Sequence, residues 1–418
     1  MSVLYLAGPE FNMLKDVALT PSSEDSNFPA ADYFADGDPG SRFKFSGVAT
    51  NPNVIANLGS KLRNGDFEGD FISNIPQYWT DISSGDGAVA GEENSIVNAG
   101  GSTKSCKFTT GASGTGIAGI SILMLVEAGW YMTASVALRR AAGNGLARAR
   151  IINLTTGRSL TSGNVWSPTQ GDWASHNADT WKVTTGTFRV EEASVSGKAL
   201  NILLVRCGLT GVSGVGYADD FKIWPHWDFA ALANSDYPSI MTARVRSDDN
   251  AAFSSATNRV LFQYGRPIAF GIPSFQVSEQ FAQFYFEGTP PQAFGVGEAI
   301  LGRKKQLPNT ILLPAPMTSA VTIFDLGSRS APVSLEDEAS KDFRIETFGK
   351  SEAEIERIRL EFSDAVKEGG GQLFIVPDDS KQEAYYGSVG RMTEDYVRPG
   401  LMRFSTEFRG FPFSVKVA

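Results

Sequence analysis

Two acidic motifs constrain this chain more than any other feature. NGDFEGD runs from Asn64 to Asp70, and YADDFKIWP runs from Tyr217 to Pro225. Between them lie almost no long helical patterns and a regular beat of short, strand-like runs. This is the pattern of a β-sandwich spliced into another domain, because an inserted domain must return its chain close to where it left. Asn64-Gly65 is a turn signal, and Phe67 is an apolar anchor between carboxylates. Tyr217, Phe221 and Ile223 alternate with polar residues, the period of a half-buried strand. If the first and last strands pair, Asp66, Glu68, Asp219 and Asp220 crowd together. Several carboxylates with backbone carbonyls are what a hard cation such as calcium requires. The alternative is that these acids sit exposed and well apart at strand ends, as most acidic side chains do.

The order of motifs carries a resemblance. N-G-x-F-E is followed by Trp79, then EAGWYMTASVALR (Glu127 to Arg139), TWKVTTGTFRV (Thr180 to Val190) and YADDFKI. This succession resembles the jelly-roll carbohydrate-binding modules attached to xylanases and glucanases, over about residues 57 to 225. The resemblance implies a structural calcium near the first and last strands, with Glu68 and one of Asp219 or Asp220 as ligands. It also makes Trp181, which begins the W-x-V-x-x-T-F strand, a structural residue.

At 418 residues the chain is expected to hold two or three domains. Its 43 glycines and 20 prolines suit a turn-rich, mainly β protein. A net charge of −9 argues against a nucleic-acid footprint, and the short run Arg303 to Lys305 does not reverse that. The two cysteines, Cys106 and Cys207, fall in strand-like runs without metal spacing and read as buried free thiols. The N-terminus lacks the charged and long apolar regions of a signal peptide, so synthesis in the cytoplasm without signal-peptide export is expected. ISILMLVEAGWYM, the most apolar stretch, is interrupted by Glu127 and is too short to span a bilayer.

Outside the insert, residues 1–53 hold a strand at Val3 to Leu6, a long polar loop and a tight turn at Asp36 to Gly40. They cannot bury a core alone. Partners resume after Pro225, where SIMTARVRS, RVLFQYG, IAFGIPSF and AQFYFEG follow at sandwich spacing. The DGDP turn, ALANSDYPSIMTARVRS, AQFYFEG and VGEAILGRKKQLP together resemble tail-associated virion proteins of tailed bacteriophages. That resemblance implies a discoidin-like sandwich over 1–53 and 226–306. From Leu307 a proline-rich run reads as a linker or edge segment. A helix follows, with Ser351 and Glu354 as a capping box, Ile355, Ile358, Phe362 and Val366 as its apolar stripe, and Gly369 to Gly371 as its end. The strands QLFIVP, YYGSVG and RFSTEFRG complete a small α+β domain, 307–418, of a kind found in the same phage tail proteins.

Catalysis is not expected. The acid pairs Glu92-Glu93, Glu191-Glu192 and Asp378-Asp379 lie on strands, where neighbours point to opposite faces, or in turns. No G-x-S-x-G elbow exists, the two histidines, His176 and His226, lie in a polar loop and at the insertion joint, and no glycine-rich run precedes a helix. Aromatic residues suit sugars better, since a ring stacks on the apolar face of a pyranose. WSPTQGDWASHNADTW places Trp166 and Trp173 in polar sequence, which makes them candidate sugar-binding residues. The alternative is that they pin a long loop to the sandwich. The binding reading predicts that Trp173→Ala weakens glycan binding without lowering the melting temperature. Trp79 and Trp130 are expected in the core.

The expected fold is therefore mainly β: a split, discoidin-like β-sandwich (1–53 and 226–306), an inserted jelly-roll β-sandwich (54–225) and a C-terminal α+β domain. The expected role is a phage tail structural protein of the virion whose insert binds bacterial surface polysaccharide. Its partners would be other virion proteins and copies of itself, with no nucleic acid and no membrane insertion. Repetition of a weak sugar site in many copies gains avidity without new contacts. The alternatives are a carbohydrate-active protein with a targeting module, and a virion protein with a non-binding insert.

Overall fold

The computed structural model describes residues 3–7, 12–36, 41–98 (without 86), 102–191 (without 114 and 115), 200–261 (without 234 and 239) and 269–303 (without 272, 274 and 275). After 303 it describes 305–307, 310–314, 321–324, 333–336, 342–352, 354, 355, 358, 372–378, 383–390 and 392–410. The protein is mainly β, and among the described residues no helix is long and apolar enough to cross a membrane. It divides into two compact units. One is Asn57–His226 with Asp16–Ala18; the other is Met1–Lys15, Leu19–Ala56 and Trp227–Ala418.

The Asn57–His226 unit is a β-sandwich of two antiparallel sheets. The seven-stranded sheet runs in the order Trp166–Ser167, Arg158–Leu160, Leu146–Asn153, Leu200–Thr210, Ile117–Glu127, Thr80–Asp81, and Ala174–His176 also pairs with Leu146–Asn153. The five-stranded sheet runs Lys182–Arg189, Tyr131–Ala142, Val215–Pro225, Ser105–Thr109, Val89–Glu93. Alternation along the strands decides the core. Met132, Ala134, Val136 and Leu138 are buried from one sheet, and Leu203, Val205, Cys207 and Leu209 from the other. Cys106 and Cys207 are buried free thiols, and burial pushes both well up.

The two bracketing motifs meet, but not as paired strands. NGDFEGD is irregular, with Asn64 (φ 48°) and Phe67 (φ 59°) in the left-handed region. It docks on the last strand through the Phe221 N–H, which donates to Gly65 O at 2.8 Å. The approach leaves no room for a side chain: a Cβ on Gly65 would lie 2.1 Å from Phe221 O. Asn64 closes the loop by donating to Asp70 O (3.1 Å) and accepting from the Gly69 N–H (2.9 Å). Phe67 is fully buried against Trp79, and the Trp79 Nε1–H is shared between the carbonyls of Arg63 and Asn64.

In the second unit, a five-stranded sheet (Ala18–Pro21, Asn53–Asn57, Phe281–Glu287, Thr242–Asp248, Thr257–Leu261) and a three-stranded one (Ala269–Gly271, Phe229–Ala233, Glu298–Gly302) form the split β-sandwich. Phenylalanines fill its core. Phe34 meets Phe43 (5.6 Å) and Phe284 (5.4 Å) edge-on, and Phe45 meets Phe43 (4.8 Å) and Phe294 (4.9 Å). The N-terminal segment is tied in by Asn12, which is buried. Asn12 donates to Ala299 O (2.7 Å) and accepts from the Leu301 N–H (3.0 Å).

The C-terminal sheet has eight strands, and here the expected domain limits need correction. Val3–Ala7 belongs to this sheet rather than to the split sandwich, pairing with Lys305–Leu307 on one side and Gln372–Asp378 on the other. The outermost strands are Lys305–Leu307 and Thr310–Pro314, and the second comes from the proline-rich run, as proline's missing N–H favours. The Ser351 cap is present: Ser351 Oγ accepts from the Glu354 N–H at 3.2 Å, and Glu354 accepts from the Lys350 N–H at 2.8 Å. The rest of the expected helix, including Phe362, Val366 and Gly369–Gly371, and the turn residues 37–40 lie outside the described residues.

Candidate functional site

Three of the four expected calcium carboxylates gather where the bracketing motifs meet. Asp219 is fully buried and accepts from the N–H groups of Asn98 (2.8 Å) and Asp220 (2.8 Å). Burial, with the neighbouring Asp220 and Glu68 charges, pushes its carboxyl up to about 7 against these two donors. Asp220, in a left-handed conformation (φ 50°), is paired with Lys222 at 2.9 Å. Glu68 accepts from Thr103 N–H (2.7 Å), Thr103 O–H (2.6 Å) and Lys104 N–H (3.1 Å), and its carboxyl is lowered by these bonds even though burial acts against them. Asp66 does not join the group. It is exposed and serves its own turn, its carboxylate accepting from the Glu68 N–H at 3.4 Å.

The donor chemistry of Glu68, Asp219 and Asp220 suits a hard cation. Among the described residues, however, no three ionisable side chains converge tightly enough to hold a metal by themselves. A calcium ion here would take the rest of its shell from backbone carbonyls.

Trp79 and Trp130 are buried as expected, while Trp173 and Trp166 follow the alternative of pinning a loop rather than the sugar-binding reading. Trp173 is 1% exposed, and its ring stacks on Phe221 at 6.3 Å inside the sandwich. Its Nε1–H donates to Asn164 Oδ1 at 2.9 Å. A ring so placed is a core residue and cannot stack on a sugar from outside, because the strand Ala174–His176 folds the polar stretch back onto Leu146–Asn153. Trp166 is half-buried, its edge against Phe188 and its Nε1–H bonded to Arg189 O at 2.7 Å. Both residues hold the segment between them to the sandwich.

The outer face of the five-stranded sheet offers what those tryptophans do not. Along Tyr131–Ala142, the exposed Tyr131, the buried Thr133 and the half-buried Ser135 and Arg139 point to this face, and along Lys182–Arg189 the exposed partners are Val183, Thr185, Thr187 and Arg189. Hydroxyls bridge the two strands: Thr133 to Thr187 and Ser135 to Thr185, each at 3.1 Å. Thr133 also meets His226 Nε2 at 2.7 Å. At one end Tyr131, 40% exposed, is stacked on His226 with the Arg189 guanidinium over its ring. At the other end the half-buried Trp181 lies 6.4 Å from Tyr217, beside Arg139 and its partner Asp179. Arg139 lies eight residue steps along the strand from Tyr131, roughly 27 Å. The face therefore carries aromatic rings at both ends and hydroxyls between them, with charged groups at the margins. Sequence reasoning placed Trp181 in a structural role and passed over Tyr131. The signal for the face was present in the alternation of YMTASVALR and WKVTTGTFR.

No protein-family model matches the chain, and no curated protein sequence matches it. Among solved structures it is similar to the enzymatically active domain of tailspike protein 4 of bacteriophage CBA120 (14% identity, TM-score 0.28), over 40% of this chain and 21% of that one. It is also similar to the CBM22-1 xylan-binding domain of Paenibacillus barcinonensis Xyn10C (16% identity, TM-score 0.26), over 38% of this chain and 91% of that one. A third is the family 11 carbohydrate-binding module of Clostridium thermocellum, in complex with a β-1,3-1,4-mixed-linked tetrasaccharide (18% identity, TM-score 0.24, 38% and 92% covered). The match thus takes in nearly all of each binding module and about a fifth of the tailspike chain.

Three acids of the expected pairs, Glu92, Glu93 and Glu191, are tied to neighbours. Glu92 meets Lys104 at 3.4 Å and Glu93 meets Lys107 at 3.5 Å, while donation from Ser95 lowers the Glu93 carboxyl. Glu191 is bonded to Thr156 and to Arg158. Glu192 and Asp379 lie outside the described residues.

Proposed function

We propose that the Asn57–His226 unit is a polysaccharide-binding module and that the chain is a structural protein of a phage tail. The observation that carries the binding reading is the outer face of the five-stranded sheet, where the exposed Tyr131 and the half-buried Trp181, itself backed by the buried Tyr217, flank a ladder of hydroxyls. Aromatic faces take the apolar surface of pyranose rings, while hydroxyls and guanidinium groups take the sugar hydroxyls. The virion role rests on the sequence resemblance of the split sandwich, and the copies of the chain in a virion would supply avidity. Binding without hydrolysis belongs to the same proposal, since donation from Ser95 lowers the Glu93 carboxyl and Glu191 is engaged by Thr156 and Arg158. So does a structural calcium at Glu68 and Asp219.

The test is binding of the full chain to host-envelope polysaccharide, with release of reducing sugar recorded alongside. Tyr131→Ala and Trp181→Ala are each expected to weaken binding about tenfold or more while the fold is retained, as for anchor residues of an interface. Retention of full affinity by both variants removes this face from the proposal. Sugar release by the wild-type chain replaces the module reading with an enzymatic one.

A further inference from the structure

The outer face of the other sheet holds a cluster of arginines that the sugar face does not explain. Leu146–Asn153 and Leu200–Thr210 pair in a register that sets Arg150 beside Arg206 and Arg148 beside Gly208. Next to them Gly208 pairs with Gly119 of Ile117–Glu127. Two glycines side by side leave a dent in the sheet, and a cavity of about 90 Å³ opens there, walled by the three arginines with Ile82 and Ile117.

The charge in this cavity is unbalanced. Asp172 is bonded to Arg150 at 2.5 Å and lies 3.8 Å from Arg148. Among the described residues Arg206 has no ion pair, and its Nε is buried with no hydrogen-bond acceptor. Among the described residues, three guanidinium groups thus share one carboxylate, within a chain whose net charge is −9. Burial and the adjacent Arg150 both press against the charged form of Arg148, with Asp172 opposing them. Gathering like charges in a partly desolvated dent is unfavourable unless an anion completes it. Guanidinium forks match the oxygen geometry of carboxylate, sulfate and phosphate groups.

We propose that Arg148, Arg150 and Arg206 form a binding pocket for a small oxyanion, either free in solution or carried as an acidic substituent on a glycan. The pocket lies on the opposite sheet from Tyr131 and Trp181 and does not rest on the sugar-binding reading.

The experiment is a calorimetric titration of the full chain at low ionic strength with sodium sulfate, sodium phosphate, sodium glucuronate and neutral glucose. Saturable binding of the anions and none of glucose is expected, weakening as sodium chloride is added. Arg206→Gln should lower anion affinity at least tenfold. Because Arg206 balances no carboxylate, its melting temperature without anion should be unchanged or higher, whereas loss of a merely structural arginine would lower it. Arg148→Gln supplies a second variant, and Tyr131→Ala should bind anions as the wild type does. Sulfate and phosphate binding without glucuronate assigns the pocket to inorganic anions, and glucuronate binding assigns it to acidic glycans. Absence of saturable binding by any of the three, or wild-type affinity in both arginine variants, overturns the proposal.

Discussion

Trp173 is surrounded in sequence by glycine, aspartate, serine, histidine and asparagine, yet it is 1% exposed and stacked on Phe221. Trp173→Ala should therefore cost stability, about 3–5 kcal/mol as for other large-to-small core changes. Denaturant melts of the purified variant would show it, and an unchanged midpoint would return the residue to the surface. The polar stretch was legible as a loop, but not the strand Ala174–His176 that turns it inward, because three residues carry no period of their own. Tyr131 shows the reverse case. It stands beside apolar Trp130 and Met132, and only the two-residue alternation reveals that it faces outward. The arginines of the oxyanion pocket were illegible for another reason, since Arg148 and Arg206 come together only through strand register.

Among the elements, those with a clear period were readable and those defined by a partner were not. Thr242–Asp248, Phe281–Glu287 and Val215–Pro225 all lie where alternation places strands. The segment around Asn12 has no such pattern, and its position is fixed by one buried amide. Asn12 serves the N–H groups of Leu14 and Leu301 and donates to Glu298 and Ala299, which anchors residues 12–14 to the Glu298–Gly302 strand. Asn12→Ala leaves several buried polar groups unpaired, at about 1–3 kcal/mol for each that water cannot reach. Amide hydrogen exchange at Met13 and Leu301 should accelerate together in this variant. Exchange that stays slow at both positions would show that the backbone bond from Met13 N–H to Leu301 O suffices without the side chain.

Across the whole molecule, the two compact units give calcium a local readout. The carboxylates of Glu68, Asp219 and Asp220 all belong to Asn57–His226. Added calcium should raise the melting temperature of that unit, and a chelator should reverse the gain. The other unit should melt unchanged. Asp219→Asn should abolish the calcium response, while Asp66→Asn, outside the cluster, should preserve it. A calorimetric scan that is the same with calcium and with chelator would leave the acidic cluster to its hydrogen bonds alone. The insertion itself was legible because both of its boundaries carry motifs. The sharing of the N-terminal strand with the C-terminal sheet was not, since nothing in VLYLA names a partner more than 360 residues away.

That shared strand also sets a clock on biosynthesis. Val3–Ala7 is made before both of its neighbours, Lys305–Leu307 on one side and Gln372–Asp378 on the other. At ordinary translation rates, ~5–20 residues per second, it waits roughly 20–75 s for that last partner to emerge. Throughout that interval its backbone donors and acceptors are open to any other extended segment nearby. The yield of folded protein is then governed by how many nascent chains share the same space, more than by the stability of the finished molecule.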